Sequence, residues 1–270
     1  MVTDATVLDV VRRMAAELVA VEGVVGVTLG GSRARGTHAP ASDVDLGIYY
    51  DPTATRLSDE LTHLTARWTT TPATVGQPGS WGPWVDAGAW LTLADLPSVD
   101  WILRDVDRVA HQVDRARRGE YTFWEQPGHP LGFLDVSYAG ELATAVVLAD
   151  PSGRLGTLRA RLDRYPQALA DAVQADAWQV GFHLDAAAKA APRADITYVA
   201  ISLGKALMLA AHGTLAARHV WVTNEKGLVL EAARHEPRLA AAASELARLG
   251  TTADDLAAAI DRVRALVVRS

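Results

Sequence analysis

The 270-residue chain contains no cysteine, which excludes disulfide frameworks, thiolate zinc sites and cysteine nucleophiles. Lysine is scarce as well: Lys189, Lys205 and Lys226 stand against 23 arginines. In an Ala- and Arg-rich chain that pattern reflects coding bias, and a lysine that persists does so by chance or for its chemistry. Positive charge is not in excess, because the formal net charge is −6. A broad basic face of the kind that grips nucleic acid is therefore not expected, and a small or cationic partner suits the chain better. The opening "MVTDATVLDVVRRM" lacks the basic, apolar, small-residue order of a signal peptide, and no uninterrupted apolar run approaches bilayer length. These absences predict a soluble, cytoplasmic protein without membrane or nucleic-acid partners.

About half of the residues are apolar, enough for one large core or, as expected here, two modest ones. Helical spacing from Thr3 to Val21 predicts an amphipathic helix, with Thr3 or Asp4 able to cap it and Gly23 to stop it. "VVGVTL" (24–29) and "DVDLGIYY" (43–50) read as strands, 54–68 as a helix, and "GAWLTL" (88–93) with "VDWIL" (99–103) as an antiparallel hairpin. A helix is expected from 104 to 118, and another through "YAGELATAVVLAD". Beyond "LADPSG" (148–153) helical spacing dominates. The expectation is an α+β chain with a mixed sheet and flanking helices in residues 1–150, followed by an α-helical bundle in 151–270.

The informative stretch is "LGGSRARGTHAPASDVDLGI" (29–48). Asp43 and Asp45 point to one face of a strand while Val44, Leu46 and Ile48 point to the other. Two carboxylates on one face repel unless a cation sits between them. A hard divalent ion suits them, since Mg²⁺ takes carboxylate oxygens and shares its remaining positions with phosphates. At Gly30, Gly31 and Ser32 the backbone N–H groups and a hydroxyl can approach a phosphate closely. Together the two features describe a site for a metal-bound triphosphate. A surface turn followed by a solvated strand would share the spelling.

This signature resembles that of the DNA polymerase β-like nucleotidyltransferase superfamily: an apolar strand, Gly-Ser, a spacer, then Asp-x-Asp in a strand. The resemblance implies a third carboxylate on a neighbouring strand. Asp100 in "VDWIL" is the candidate, with a turn-capping role as its alternative. Asp105 and Asp107 repeat the Asp-x-Asp spelling, but helical positions two apart diverge, so they are read as a helix-terminal acid and a solvated one. The resemblance further implies two Mg²⁺ ions held by Asp43, Asp45 and Asp100, with ATP or another nucleoside triphosphate as co-substrate. Gly31, Ser32 and Arg35 are expected at the phosphates, and Arg33 beside them.

The following helical half is similar to that of antibiotic nucleotidyltransferases of the aminoglycoside and lincosamide type. It implies a helical substrate- and nucleotide-binding domain in 151–270, a small-molecule hydroxyl acceptor, and a homodimer. Those members use an additional Glu as general base. Glu141 is the candidate because it opens an otherwise apolar helix, and a Glu serving the helix dipole is the equal alternative. Glu125 and Asp86 are fallback acceptor-binding acids. Lys205, within the apolar "ISLGKALML", and Lys226, in "TNEKGLV", are assigned to the nucleotide. Lys189 is read as a helix-end cation. Trp81, Trp84, Trp90 and Trp101 cluster around the hairpin as core or loop anchors, with one a candidate to line an acceptor pocket. Competing functions are an enzyme that adds AMP to a protein hydroxyl and a nucleotide-binding regulatory module without catalysis.

Overall fold

The computed structural model describes residues 4–69, 71–94 and 96–268. The chain divides into two compact units, one of Met1–Arg115 and Thr122–Arg164, the other of Ala116–Tyr121 and Tyr165–Ser270.

The first unit is the mixed α+β part. It runs α1 (Asp4–Leu18), β1 (Val24–Leu29), α2 (Gly31–Ala34), β2 (Val44–Tyr50), α3 (Leu57–Thr65), β3 (Gly88–Leu91), β4 (Val99–Asp105), α4 (Val106–Arg118), β5 (Phe123–Gln126), β6 (His129–Leu134), α5 (Ser137–Thr144), β7 (Val146–Ala149) and α6 (Arg154–Ala160). The division between the units falls inside α4. Five strands form one sheet in the order β3-β4-β2-β1-β7. β2 and β4 are parallel, and the other neighbours are antiparallel.

Alternation sorts the sheet into two unlike faces. Val44, Leu46 and Ile48 of β2, with Val99, Trp101 and Leu103 of β4, bury against Val11, Met14 and Leu18 of α1 and Leu61 of α3. Trp101 is fully buried, and its indole N–H donates to the Met14 sulfur at 3.1 Å. Asp45, Asp100 and the exposed Trp90 leave on the opposite face, so the apolar face anchors the polar one.

Several details depart from the sequence reading for identifiable reasons. Gly23 does follow α1 with a φ of +89°, but Thr3 lies outside the described residues, and Asp4 turns its carboxylate to Arg33 and His38. β4 continues through Arg104 and Asp105, which still pair with Tyr49 and Tyr50. The helix begins only at Val106, because the Asp105 carboxylate accepts the N–H groups of Asp107 and Arg108. "YAGELATAVVLAD" is a helix only to Thr144; its β-branched Val146 and Val147 form an edge strand on β1. "FWEQPGHPLGFL" is a two-stranded hairpin turning at Pro127 and Gly128.

The second unit contains α7 (Gln167–Ala175), α8 (Trp178–Ala190), α9 (Ile196–Ala217), α10 (Leu228–Ala233), α11 (Arg238–Leu246) and α12 (Ala253–Val267). Its core is Leu184, Leu203, Leu207, Leu256, Ile260 and Val263 filled in by alanines. Asp195 caps α9, and Thr252 with Asp255 forms a capping box on α12. α9, interrupted by Lys205, is long and apolar enough to cross a membrane by length and composition. Half of that span is buried in the unit, against α8, α10, α11 and α12, as expected of a core helix.

Because Trp101 fills the space between sheet and helices, Trp101→Ala is expected to cost about 3–5 kcal/mol of unfolding free energy. Urea denaturation checks this; a loss below about 1 kcal/mol would show that the apolar face does not depend on it.

Candidate active site

At the end of β1 the chain turns sharply onto β2. The Gly30 N–H donates to the Asp45 carbonyl at 2.8 Å, which stitches the turn to the residue carrying the central carboxylate. Gly31 has a φ of +60°, and a Cβ there would fall 1.7 Å from Asp45 Oδ2. Both the backbone conformation and the space therefore require glycine. Ser32 follows in the single helical turn of α2, half-buried beside it.

The spacer that joins the turn to Asp43 is held by Arg33, whose side chain is 5% exposed. Its guanidinium donates to the carbonyls of Ser42 (2.8 Å), Asp43 (3.3 Å) and Pro40 (3.5 Å) and to the Asp4 carboxylate (3.2 Å). Arg33 thus clamps the loop that leads to Asp43. Arg35, exposed at the end of α2, is the arginine whose charge acts most on Asp45.

Asp45 and Asp100 are direct register partners on the parallel strands β2 and β4, so their side chains leave the same face of the sheet on adjacent strands, about 5 Å apart. Asp43 precedes β2 and is exposed. Burial raises the Asp45 pKa, and the Asp43 and Glu141 carboxylates add to the rise against Arg35 and Arg33. Burial, then Asp45 and Asp43, push Asp100 from the ordinary 3.8 up to about 6. The three acids therefore feel one another's charge. Among the described residues no three His, Asp or Glu side chains converge as a ready metal cage, so the aspartates are neighbours on one face rather than a closed set. Their donor chemistry suits a hard divalent ion, because only carboxylate oxygens are offered and a cation would relieve their repulsion.

Two residues further along the same face the site is sealed. Arg104 is buried and paired with both Glu141 oxygens, at 2.7 and 3.0 Å. It also donates to the Val85 carbonyl at 3.1 Å and lies 4.9 Å over the Tyr138 ring. Burial works against the Arg104 charge, and Glu141 together with Tyr138 and Tyr49 more than offsets it. The sequence reading did not single out Arg104; the alternation Asp100, Ile102, Arg104 was the available signal. Asp86 is buried and committed to the Tyr50 hydroxyl and the Gly79 N–H, so it is a loop residue. Glu125 is exposed on β5.

Lys205 and Lys226 belong to the second unit. Lys205 is half-buried on α9, where burial depresses its pKa and Glu225 opposes that fall. His183 and half-buried His212 lie near enough that the Lys205 charge acts on both. Lys226 is exposed, next to Glu225. Lys189 closes the last turn of α8, exposed.

Residues 10–81 match the nucleotidyltransferase domain family. The match runs from α1 through the glycine turn and past Asp43 and Asp45, and stops short of Trp90, Asp100 and Glu141. Within the first unit, residues 10–81 are thus similar to nucleotidyltransferase domains of the polymerase β-like superfamily. The solved structure of a nucleotidyltransferase-like protein from Exiguobacterium sibiricum 255-15 is similar at 12% identity, over 96% of this chain and 73% of that one, with a TM-score of 0.46. No curated protein matches the chain in sequence.

The raised Asp100 pKa has a signed consequence for stability. Between pH 3.8 and about 6 the folded chain keeps a proton that the unfolded chain has lost. This stabilising contribution is full below pH 3.8 and disappears as pH rises through about 6. In the presence of chelator, Asp100→Asn is expected to be more stable than the parent at pH 7, by on the order of 1 kcal/mol after screening. The gain should vanish near pH 4 in thermal unfolding; a variant no more stable than the parent at pH 7 would contradict the assignment.

Proposed function

We propose that the protein transfers a nucleoside monophosphate, AMP from ATP, to a hydroxyl of a small aminoglycoside-like acceptor and releases pyrophosphate. The observation that carries the reading is the register of Asp45 with Asp100 beside a glycine turn that admits no side chain against Asp45. Asp43, Asp45 and Asp100 would hold Mg²⁺. Two such ions supply neutralisation of the triphosphate and activation of the acceptor hydroxyl.

The chain's own groups do the rest. Backbone N–H groups of the Gly30–Gly31–Ser32 turn and the Ser32 hydroxyl hold phosphate oxygens, and Arg35 adds a cation. Lys205 and Lys226 supply further positive charge to the nucleotide. The acceptor oxygen bonds to the α-phosphorus as the bond to the bridging oxygen breaks, and pyrophosphate carries that electron pair away.

We assign the acceptor proton to Glu141. Pairing with Arg104 orients its carboxylate and leaves a second lone pair on each oxygen. Asp100, on the same face of the sheet, is the competing candidate for the role. In this reading residues 1–150 are the catalytic domain and 151–270 the helical binding domain, in a cytoplasmic enzyme.

Pyrophosphate release is measured with ATP, GTP, CTP and UTP in the presence of Mg²⁺ and a panel of aminoglycosides, lincosamides and simple alcohols. Acceptor-dependent release, greatest with ATP, is expected, and Asp45→Asn should lower it by about 10³-fold or more. Release that persists in Asp45→Asn defeats the reading. Glu141→Gln should lower kcat by about 10²–10⁴-fold with nucleotide affinity retained; an unaltered kcat gives the proton to Asp100.

A further inference from the structure

We infer that Trp90 is the platform on which the acceptor lies, and that this acceptor is a hydroxyl-bearing ring carrying ammonium groups; the inference rests on the transferase reading above. Trp90 lies directly opposite Asp100 in the antiparallel pairing of β3 with β4, so its indole leaves the sheet on the face of the carboxylates. It is 65% exposed, an unusual placement for an indole beside acids. Nor is it a loose surface side chain. Trp81 stacks beneath it at 4.5 Å and 15°, seated over Gly88, where a Cβ would come 3.1 Å from the Trp81 ring.

Trp81 is itself fixed through its backbone: its main-chain N–H donates to the Asp86 carbonyl at 2.9 Å and its carbonyl accepts from the Gln126 side chain at 2.9 Å. One face of Trp90 is therefore covered by a rigid neighbour, and the other is left for a ligand.

Sheet order decides which ligand. The glycine turn closes β1, Asp45 is on β2, Asp100 on β4 and Trp90 on the edge strand β3. With strands about 5 Å apart, Trp90 lies about 10 Å from Asp45 on the side away from the turn. In-line displacement requires the attacking oxygen to enter opposite the leaving pyrophosphate. If the turn holds the pyrophosphate end, the acceptor enters from the β3 side, over Trp90.

The chemistry of the surroundings narrows the acceptor class. An indole face takes the C–H face of a saturated ring, and it attracts an ammonium group held over it. An amino sugar or aminocyclitol satisfies both demands, whereas a neutral sugar satisfies only the first.

The test is calorimetric binding of kanamycin, streptomycin and a neutral disaccharide to the full chain with Mg²⁺ and a non-hydrolysable ATP analogue. Parent, Trp90→Ala and Trp90→Phe are compared, and nucleotide affinity is measured separately for each. The inference expects at least one aminoglycoside to bind at least about tenfold more tightly than the disaccharide. It expects Trp90→Ala to weaken that binding about tenfold or more, Trp90→Phe to retain most of it, and nucleotide affinity to be unchanged in both. Weakened nucleotide binding with the acceptor unaffected would make Trp90 a base platform and overturn the inference while leaving the transferase reading intact. So would unchanged binding of both, equal binding of the disaccharide, or no aminoglycoside binding to the parent. Failure of the transferase reading registers elsewhere, as pyrophosphate release that survives Asp45→Asn.

Discussion

The structure depends on holding carboxylates against their mutual repulsion. Asp45 and Asp100 are fixed across a parallel strand pair, and neither can move away without breaking the register that also buries Leu46 and Trp101 on the other face. A one-residue slip would exchange the two faces entirely. The apolar core thus does for the acids what they would not do for themselves. Burial and proximity raise Asp100 to about 6, a cost that a divalent cation and a triphosphate could turn into binding.

Arginine is the other means of fixing the site, and its uses are mostly internal. Arg33 collects carbonyls from the spacer loop and so sets where Asp43 stands. Arg104 locks Glu141 to β4. Arg115 pairs with the fully buried Asp135. Planar guanidinium groups with several donors can satisfy two or three acceptors at once, which a lysine cannot do in a fixed geometry. Abundant arginine in this chain therefore does not measure its affinity for anions. The exposed Arg35, which touches the site only through its field on Asp45, is the more informative one.

Legibility in the sequence followed the range of the interactions. The β1 and β2 strands, the glycine turn and the Asp-x-Asp face depend on local alternation and turn chemistry, and they could be read directly. The hairpin of β3 and β4 was readable for the same reason, whereas Asp100 as a neighbour of Asp45 came from the family resemblance, because the pairing of β4 with β2 is nonlocal. The ends of the elements were not. Arg104 continues a strand because Tyr49 lies beside it, and Val146 becomes a strand because β1 offers an edge; both are nonlocal facts. The Pro127–Gly128 turn between aromatic-rich segments was a signal that went unused. The loop contacts of Arg33 and Asp86 were not legible, because charge alone does not reveal whether a side chain faces a ligand or its own loop.

The polar face also has a direction, and this bears on access. Along β4 the side chains pass from half-open Asp100 through Ile102 to buried Arg104, while β2 passes from Asp45 through Gly47 to buried Tyr49. Tyr138, Glu141 and Arg104 close that end. The acids are thus more open at the end where β2 and β4 begin, with the glycine turn on the β1 side and Trp90 on the β3 side. Gly47 keeps the middle of the face low: a Cβ there would meet the Thr28 hydroxyl at 2.8 Å and the Tyr49 ring at 3.2 Å. The sealed end makes the open end rigid, since Glu141 cannot drift while Arg104 holds both its oxygens. In a transfer that relies on positioning, that rigidity is the contribution the fold itself makes.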